Sequence, residues 1–449
     1  MAVDRQDDAD VMDRANVRAR QGTAADESPS RQAVLRPFAL LAAAALLAAC
    51  NGIVRQPAPI YGYSEAVPAG FPDTVRAGTR SDLLDARTPQ VIRRVVSAAG
   101  DGPVNVLALS GGGAGSAFGA GALVGWSRRG TRPDFQIVTG VSSGAMIAPY
   151  AFLGPAWDGK LEEAFSGAAT EHLLQRRWPG AWLSSSVYRG EPLVQLVDHY
   201  VTDELLAAVA QKAATGGVLL VATTDLDKQE TVIWNLGVVA SIGGERGRRL
   251  FRDIIVASAS IPGVFPPVLI RVEESGAQFD ELHVDGGTTA PLFIAPELIN
   301  LLPDRLSGLR GANIYAIVNG QLAVTAKTVD GGTIALVKRG VAASLQSGSR
   351  LAIEVTAAVA QQNGMHFAVT AIPSNFPYHG PLDATPSTMR ALFDFGAGCA
   401  VSEQLWGSPI DVLRAADEVT FSASASTARC PAPSSAFVVR AGRADLAAP

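Results

Sequence analysis

The stretch that decides the fold prediction is residues 104–115, which read VNVLALSGGGAG. Its first six residues are uncharged and mostly apolar, which suits a buried β-strand, and a glycine-rich turn follows at once. Further strand-like runs lie at residues 136–139, 218–223, 231–234, 254–257, 282–284 and 314–318. Helical stretches lie between them, such as residues 191–200, whose apolar positions fall on one face. Apolar strands that alternate with helices predict an α/β fold with a mostly parallel sheet covered on both faces.

The composition excludes several classes of protein. The chain has 449 residues, of which 48% are hydrophobic, so it can bury a large core and is not disordered over most of its length. A net charge of −5 gives no overall footprint for nucleic acid. Three cysteines are too few for a disulfide framework, and their spacing is not that of a metal site. No linker divides residues 104–400, so we predict one large domain there.

An apolar run near the N-terminus predicts export. Residues 38–49 are uncharged, follow Arg36 and end in Leu-Ala-Ala before Cys50, and the run is too short to span a membrane. This order is typical of a secretory signal, and its exit resembles the bacterial lipobox, whose cysteine becomes the lipidated first residue. We therefore expect residues 1–49 to be removed, Cys50 to be lipidated and residues 50–75 to be a Pro- and Gly-containing tether. The alternative is a core helix that happens to end in cysteine.

The first glycine-rich turn, residues 111–115, has three competing interpretations. A dinucleotide fingerprint that starts at Gly111 would need glycine or alanine where Ser116 stands. A phosphate-binding P-loop would need a Gly-Lys-Ser/Thr triplet, which the turn does not have. An oxyanion hole needs only backbone N–H donors, which glycines bring close to a ligand. The turn is therefore compatible with an oxyanion hole or with tight packing alone.

The second turn, residues 140–144, reads GVSSG and lies between a strand-like and a helical stretch. G-x-S-x-G in that context predicts a nucleophile elbow, in which the two glycines allow a sharp turn that lifts Ser142 out of the sheet. The hydroxyl of the neighbouring Ser143 is expected to cap the helix or to pack.

The third turn is Asp285-Gly286-Gly287, directly after a strand-like run. It could be an ordinary Asp-Gly hairpin turn. It could also be a polar turn at the edge where open parallel sheets place their sites. The residues alone leave both interpretations open.

A serine nucleophile needs a base, and two kinds of base are possible. The chain has 5 histidines, and only His366 and His379 follow Asp285, as the order Ser-Asp-His of an α/β-hydrolase triad requires. Neither histidine stands in a distinctive motif. The alternative is a dyad in which a carboxylate takes the serine proton directly, and the sequence pattern does not choose between them.

The order of these motifs resembles the patatin-like phospholipase family. A strand, a Gly-Gly-Gly loop, G-x-S-x-G and Asp-Gly-Gly follow one another as in that family, and residues 222–227 and 257–267 look like two more of its segments. The resemblance covers residues 104–320 with specific motifs and extends more loosely to residue 398. It implies a three-layer α/β/α fold and hydrolysis of lipid acyl esters by a Ser–Asp dyad through an acyl-enzyme.

The resemblance also assigns roles to single residues. Ser142 corresponds to the nucleophile and Asp285 to the proton acceptor, and His283 is expected to pack beside the site. The oxyanion N–H groups would belong to Gly112, Gly113 and Ala114. The remaining motif glycines are Gly111, Gly115, Gly140, Gly144, Gly286 and Gly287. No metal and no organic cofactor is implied.

The sequence departs from the family at one point. The family commonly has Arg-Gly where this chain has Gly115 and Ser116, so a cation near the oxyanion is missing. This departure puts the rate and a preference for anionic head groups in doubt. It also leaves open a lipid-anchored scaffold without turnover.

Together these features predict the organisation of the whole protein. We expect a hydrolase domain over residues 76–449, with the motifs in 104–320 and a C-terminal extension in 321–449. The partners expected are a lipid ester and a bacterial membrane, the outer one in preference to the inner one. The protein would be held there by its lipid anchor and would face the periplasm or the cell surface. With Cys50 acylated, Cys399 and Cys430 are the remaining thiols, and we expect them to pair in an oxidising compartment.

Overall fold

The computed structural model describes residues 53–59, 66–77, 88–167, 173–175, 186–294, 309–323, 328–329, 331–418 and 428–431. The predicted signal segment and the lipidation site at Cys50 lie outside these residues. None of the described helices is long and apolar enough to cross a membrane.

A single mixed sheet forms the centre of the described structure. Its strands are β1 Arg76–Ala77, β2 Asn105–Leu109, β3 Ile137–Val141, β4 Val218–Asp225, β5 Glu230–Asn235, β6 Val268–Glu274, β7 Ala277–Asp285, β8 Asn313–Gln321 and β9 His366–Ile372. The order is β1-β5-β4-β3-β2-β8-β9, and β4, β3, β2, β8 and β9 run parallel. β1 and β5 lie antiparallel at one edge, and the β6–β7 hairpin joins β4 antiparallel through β7. The predicted α/β fold with a mostly parallel central sheet is confirmed.

Helices cover both faces of this sheet. They are α1 Thr88–Ala99, α2 Ser116–Arg129, α3 Ser143–Leu153, α4 Asp158–Phe165, α5 Glu191–Tyr200, α6 Asp203–Ala214, α7 Leu236–Ile242, α8 Gly244–Ser258, α9 Thr333–Gln362, α10 Pro386–Val401 and α11 Pro409–Asp417. Side chains alternate along β2, where Leu107 and Leu109 join the apolar cluster that contains α2 and α10. Val106 and Ala108 join the opposite cluster, with α1, α9 and α11. Burial on both faces is why this strand is apolar throughout.

Residues 254–257, which the apolar pattern predicts as a strand, belong to helix α8. The helix buries Leu250, Phe251, Ile254 and Ile255 while its charged residues stay on the other side. A short apolar run fits a strand and a buried helical turn equally well, and the 3.6-residue period upstream decides for the helix.

The described part of the expected tether packs against the domain. Val67 exchanges backbone hydrogen bonds with Glu273 on β6, and the Gln56 N–H donates to Asp280 on β7. Ala66, Phe71 and Val75 are buried. These three residues belong to the same apolar cluster as Ile270 and Val272 of β6. The boundary expected between tether and domain at residue 76 therefore runs through one core.

Candidate active site

Ser142 lies in the turn between β3 and α3, in a conformation that few residues adopt. Its φ of 56° and ψ of −131° fall where a side chain is strained. The flanking glycines make this turn possible. A Cβ at Gly140 would lie 2.8 Å from Ala145 Cα, and one at Gly144 would lie 2.5 Å from the Ser110 carbonyl oxygen. The structure thus builds the sharp strand-to-helix turn that G-x-S-x-G predicts.

Ser258 links this turn to strand β4 through two hydrogen bonds. Its hydroxyl accepts a 2.8 Å hydrogen bond from the Ser142 N–H and donates a 2.7 Å bond to the Ala222 carbonyl oxygen. The strained backbone is thereby tied to the neighbouring strand β4. No sequence signal points to this role of Ser258, because a single serine within residues 257–267 carries no motif of its own.

Sheet register explains why Asp285 reaches Ser142. Val141, the last residue of β3, pairs with Ala222 of β4. Asp285, the last residue of β7, pairs with Thr223, the next residue of the same strand. Because β5 occupies the other edge of β4, β7 continues on the edge where β3 ends. The C-terminal ends of β3 and β7 therefore meet. Ser142 directly follows β3 and Asp285 ends β7, so their side chains come together.

A short hydrogen bond joins the two side chains. Ser142 Oγ donates to Asp285 Oδ2 at 2.6 Å, and the Gly287 N–H donates to Asp285 Oδ1 at 2.7 Å. Gly286 lets the backbone pass closely, since a Cβ there would overlap the Ala222 carbonyl oxygen. The turn after Asp285 is a single 3₁₀ turn over Gly286–Thr288 and not a hairpin.

Burial changes the acidity of this carboxyl group. Desolvation raises the pKa of Asp285 from 3.8 to about 7, against the opposing effect of its hydrogen bonds from Ser142 and Gly287. The carboxylate is thus close to half-protonated at neutral pH, and its affinity for a proton is much higher than that of an exposed aspartate.

In the part of the chain that the structure describes, no histidine hydrogen-bonds to Ser142 or to the Asp285 carboxylate. His366 begins β9 and pairs with Asn313 at the start of β8, so it lies at the edge opposite the strand ends that carry the site. His379 is exposed in the segment between β9 and α10. His283 is fully buried, with ring nitrogens 3.0 Å from Thr223 Oγ1 and from Glu281 Oε2. His283 is therefore a buried neighbour on β7, as expected.

The glycine-rich loop lies against Ser142. A Cβ at Gly111 would come within 2.8 Å of Ser142 Cβ. Among the described residues, no hydrogen bond engages the N–H groups of Gly112 and Gly113. The Ala114 N–H, in contrast, donates a 2.8 Å hydrogen bond to the Pro381 carbonyl oxygen. Ala114 was expected to offer an N–H donor to the oxyanion. This expectation is corrected, because the Ala114 N–H already donates to the carbonyl of Pro381, a residue far away in the sequence.

Steric crowding excludes arginine at position 115, where the family resemblance would place one. A Cβ at Gly115 would overlap the Asn319 carbonyl oxygen and lie 3.0 Å from the Tyr378 hydroxyl oxygen, so arginine does not fit there. Ser116 instead donates a 2.5 Å hydrogen bond to the Ser143 hydroxyl. This bond links the glycine-rich loop to the helix that begins after Ser142, and it gives Ser143 its packing role.

A metal site is not evident in the described ranges, where no three His, Cys, Asp or Glu side chains cluster to hold an ion. The Asp285 carboxylate accepts hydrogen bonds from the Ser142 hydroxyl and the Gly287 N–H. The arrangement as it stands offers a hydroxyl, a carboxylate and backbone N–H groups.

Comparisons with known proteins give one family match and several similar solved structures. The crystal structure of VipD from Legionella pneumophila is similar over 67% of this chain and 67% of that one, with 11% identity and a TM-score of 0.30. No curated protein matches the chain. The model of the family described as Patatin-like phospholipase matches residues 107–296, which include all three glycine-containing turns. Residues 107–296 are therefore a patatin-like phospholipase domain, which is a domain of a lipid hydrolase family.

Proposed function

We propose that this protein hydrolyses carboxylic esters of lipids, with Ser142 as the nucleophile and Asp285 as the proton acceptor. The observation that carries the proposal is the 2.6 Å hydrogen bond from Ser142 Oγ to Asp285 Oδ2. A serine hydroxyl becomes a useful nucleophile when a base within hydrogen-bond reach accepts its proton. The pKa of Asp285, about 7, suits a general base that works near neutral pH.

In the first step Ser142 Oγ bonds to the ester carbonyl carbon while its proton passes to Asp285 Oδ2. The electron pair of the C=O bond moves to oxygen, and the N–H groups of Gly112 and Gly113 donate to that oxyanion. A single donor of this kind contributes about 10²–10³ in kcat. The bond to the alcohol oxygen then breaks, the alcohol takes the proton from Asp285, and Ser142 keeps the acyl group.

In the second step water releases the acyl chain. A water molecule gives one proton to Asp285 as its oxygen adds to the acyl carbonyl carbon. Collapse of this second oxyanion breaks the bond to Ser142 Oγ, which takes the proton back, and a fatty acid leaves. Release of a fatty acid from a lipid ester would make this reaction a step of lipid degradation.

Two conservative substitutions test these roles. Ser142→Ala removes the nucleophile, and Asp285→Asn keeps the side-chain shape but removes the proton acceptor. We expect each to lower turnover of p-nitrophenyl acyl esters and of phospholipid vesicles by at least about 10³-fold, while thermal unfolding still gives one cooperative transition. His366→Ala and His379→Ala are the controls, and each should retain turnover within about tenfold. If either histidine variant loses turnover as completely as Asp285→Asn, a histidine triad replaces the dyad.

The competing function is a lipid-anchored scaffold that has lost turnover. The replacement of Arg-Gly by Gly115 and Ser116 is the observation that favours it. A fluorophosphonate probe separates the two functions, because it reacts only with an activated serine. Labelling of Ser142 supports the hydrolase, whereas a folded protein that stays unlabelled supports the scaffold.

We further propose that the protein is exported and anchored to a bacterial membrane, the outer one in the first instance, through a lipidated Cys50. The lipobox-like residues 47–50 support this proposal. A disulfide between Cys399 and Cys430 is compatible with an oxidising compartment. Mass spectrometry of the mature N-terminus should find acylated Cys50, with more than one chain such as palmitate, since a single chain anchors only marginally. An unmodified Cys50 or a mature chain that starts elsewhere would contradict it.

A further inference from the structure

The segment between β9 and α10 forms a bracket over the glycine-rich loop. This bracket, residues 373–385, contacts two successive peptide groups of the loop. The Tyr378 hydroxyl donates a 3.0 Å hydrogen bond to the Gly112 carbonyl oxygen. The Pro381 carbonyl oxygen accepts the 2.8 Å bond from the Ala114 N–H. The bracket also leaves no room between the two, because a Cβ at Gly113 would overlap the Pro381 carbonyl oxygen.

The bracket is itself attached to the sheet and to α10. Gln321, at the end of β8, donates from Nε2 to the Pro373 and Phe376 carbonyl oxygens at 2.9 and 3.0 Å. The Phe376 ring packs on Phe395 of α10, with centroids 4.8 Å apart. These contacts tie the bracket to two regular elements, so it can act as a fixed support.

Peptide geometry connects these contacts to the oxyanion donors. In a trans peptide the C=O and N–H groups lie in one plane and point in opposite directions. A hydrogen bond that holds the Gly112 carbonyl therefore also sets the direction of the Gly113 N–H. Glycines need such external support, since their backbone has more freedom than that of other residues. The Gly115 N–H also donates to the Gly112 carbonyl, at 3.0 Å, so this oxygen has two donors.

We propose that Tyr378 is a positioning residue for the oxyanion hole, which aims the Gly113 N–H by holding the Gly112 carbonyl oxygen. The inference rests on the proposed hydrolase function and adds a residue some 235 positions from Ser142 to its machinery, where the family pattern has an arginine on the loop itself. A bond to the carbonyl also polarises the peptide, which strengthens its N–H as a donor.

The phenol is suited to this role over a wide pH range. Burial raises the pKa of Tyr378, so its hydroxyl remains a neutral donor wherever Asp285 titrates. The contribution of Tyr378 should therefore change the height of the pH–rate profile and leave its midpoint in place.

Tyr378→Phe removes the hydroxyl and keeps the ring. In the full protein we expect kcat to fall about 10- to 100-fold with KM within about twofold, which is less than the loss of a whole oxyanion donor. A trifluoromethyl ketone forms a tetrahedral adduct with Ser142, and its affinity should fall by the same factor as kcat. The midpoint of the pH profile should not move. Tyr315→Phe is the matched control, because Tyr315 is a buried tyrosine on β8 that packs on Trp126 (centroids 5.0 Å apart), and it should leave both kcat and inhibitor affinity unchanged.

Three results would overturn the inference. Tyr378→Phe could retain kcat and inhibitor affinity within twofold, it could raise KM while kcat stays unchanged, or Tyr315→Phe could lose as much kcat as Tyr378→Phe. In each of these cases the wild-type protein is active, so the proposed function stands. A wild-type protein without Ser142-dependent turnover would instead overturn the proposed function, and the role of Tyr378 with it.

Discussion

Burial changes the acid–base chemistry of Asp285. A pKa raised from 3.8 to about 7 means that the folded protein keeps a proton which the unfolded chain loses between these two pH values. In that interval the unfolded state binds fewer protons, so the free energy of unfolding falls as the pH rises. Three pKa units correspond to about 4 kcal/mol, at about 1.4 kcal/mol per unit.

Asp285→Asn should remove the loss of stability that deprotonation of Asp285 causes in the folded wild-type protein. We expect the variant to gain stability relative to the wild-type protein as the pH rises from about 4 to about 8, by up to about 4 kcal/mol, because asparagine does not titrate. Urea unfolding of both proteins at pH 4, 6 and 8 measures the difference. Stability curves that run parallel over this range would contradict the raised pKa.

The same pKa alters how a pH–rate profile can be interpreted. Turnover should rise with pH through a midpoint near 7, where the Asp285 carboxylate forms. An unperturbed histidine titrates near about 6.5, so the midpoint alone does not distinguish a carboxylate base from an imidazole. The substitutions of Asp285, His366 and His379 make that distinction.

At the scale of elements, helices α2 and α10 pack unusually closely. A Cβ at Gly121 would overlap the Phe393 carbonyl oxygen, and one at Gly125 would overlap that of Ala397. Gly396 on α10 fits in return against Phe118. Helix α2 begins at the end of the glycine-rich loop, and α10 follows the bracket. The contact between these helices therefore helps to set the distance between the loop and the bracket.

Gly121→Ala should therefore destabilise the protein by about 1–3 kcal/mol, because a methyl group against a backbone carbonyl forces the helices apart. Gly159→Ala is the matched control, since Gly159 also lies in a helix but has open space around its Cα. Alanine there should be neutral or stabilising by up to about 1 kcal/mol. Thermal unfolding of the two variants compares them, and equal shifts would show that helix propensity alone accounts for the result.

At the scale of the whole molecule, a disulfide closes the C-terminal part of the described chain. Cys399 on α10 bonds to Cys430, 31 residues later, with Cα atoms 5.5 Å apart. The expected pairing of these cysteines is thus present in the structure. A crosslink that closes a loop of this length restricts the unfolded chain by about 3–4 kcal/mol in the chain-entropy account.

Reduction should lower the stability of the protein by that amount. We expect a reductant to lower the midpoint of thermal unfolding by several degrees, and Cys399→Ser/Cys430→Ser should unfold at the lower temperature with or without reductant. A wild-type midpoint that does not respond to reductant would contradict a stabilising crosslink.

Local pattern in the sequence was sufficient for strands β2, β3, β4, β5 and β8, for the end of β7 and for the turns that carry the candidate site, but it did not indicate β6 or β9. An apolar run such as residues 104–109 predicts a buried strand. Each glycine-containing turn after such a run predicts either a sharp change of chain direction or a close approach between two backbone segments. These features depend on neighbours a few residues away, so periodicity and glycine placement report them. The order of the three turns was also enough to indicate the family.

Features that depend on residues far apart in the sequence become visible only in the folded protein. Residues 254–257 are helical because the whole amphipathic face of α8 packs into the core. Residues 66–75 pack against the domain because the β6–β7 hairpin offers them backbone hydrogen-bond partners, such as Glu273 for Val67. The raised pKa of Asp285 needs its complete burial, and the loss of Ala114 as a donor needs Pro381, more than 260 residues away in the chain. Burial and hydrogen-bond partners of this kind arise only when the chain has folded, because the groups that cause them are contributed by other elements.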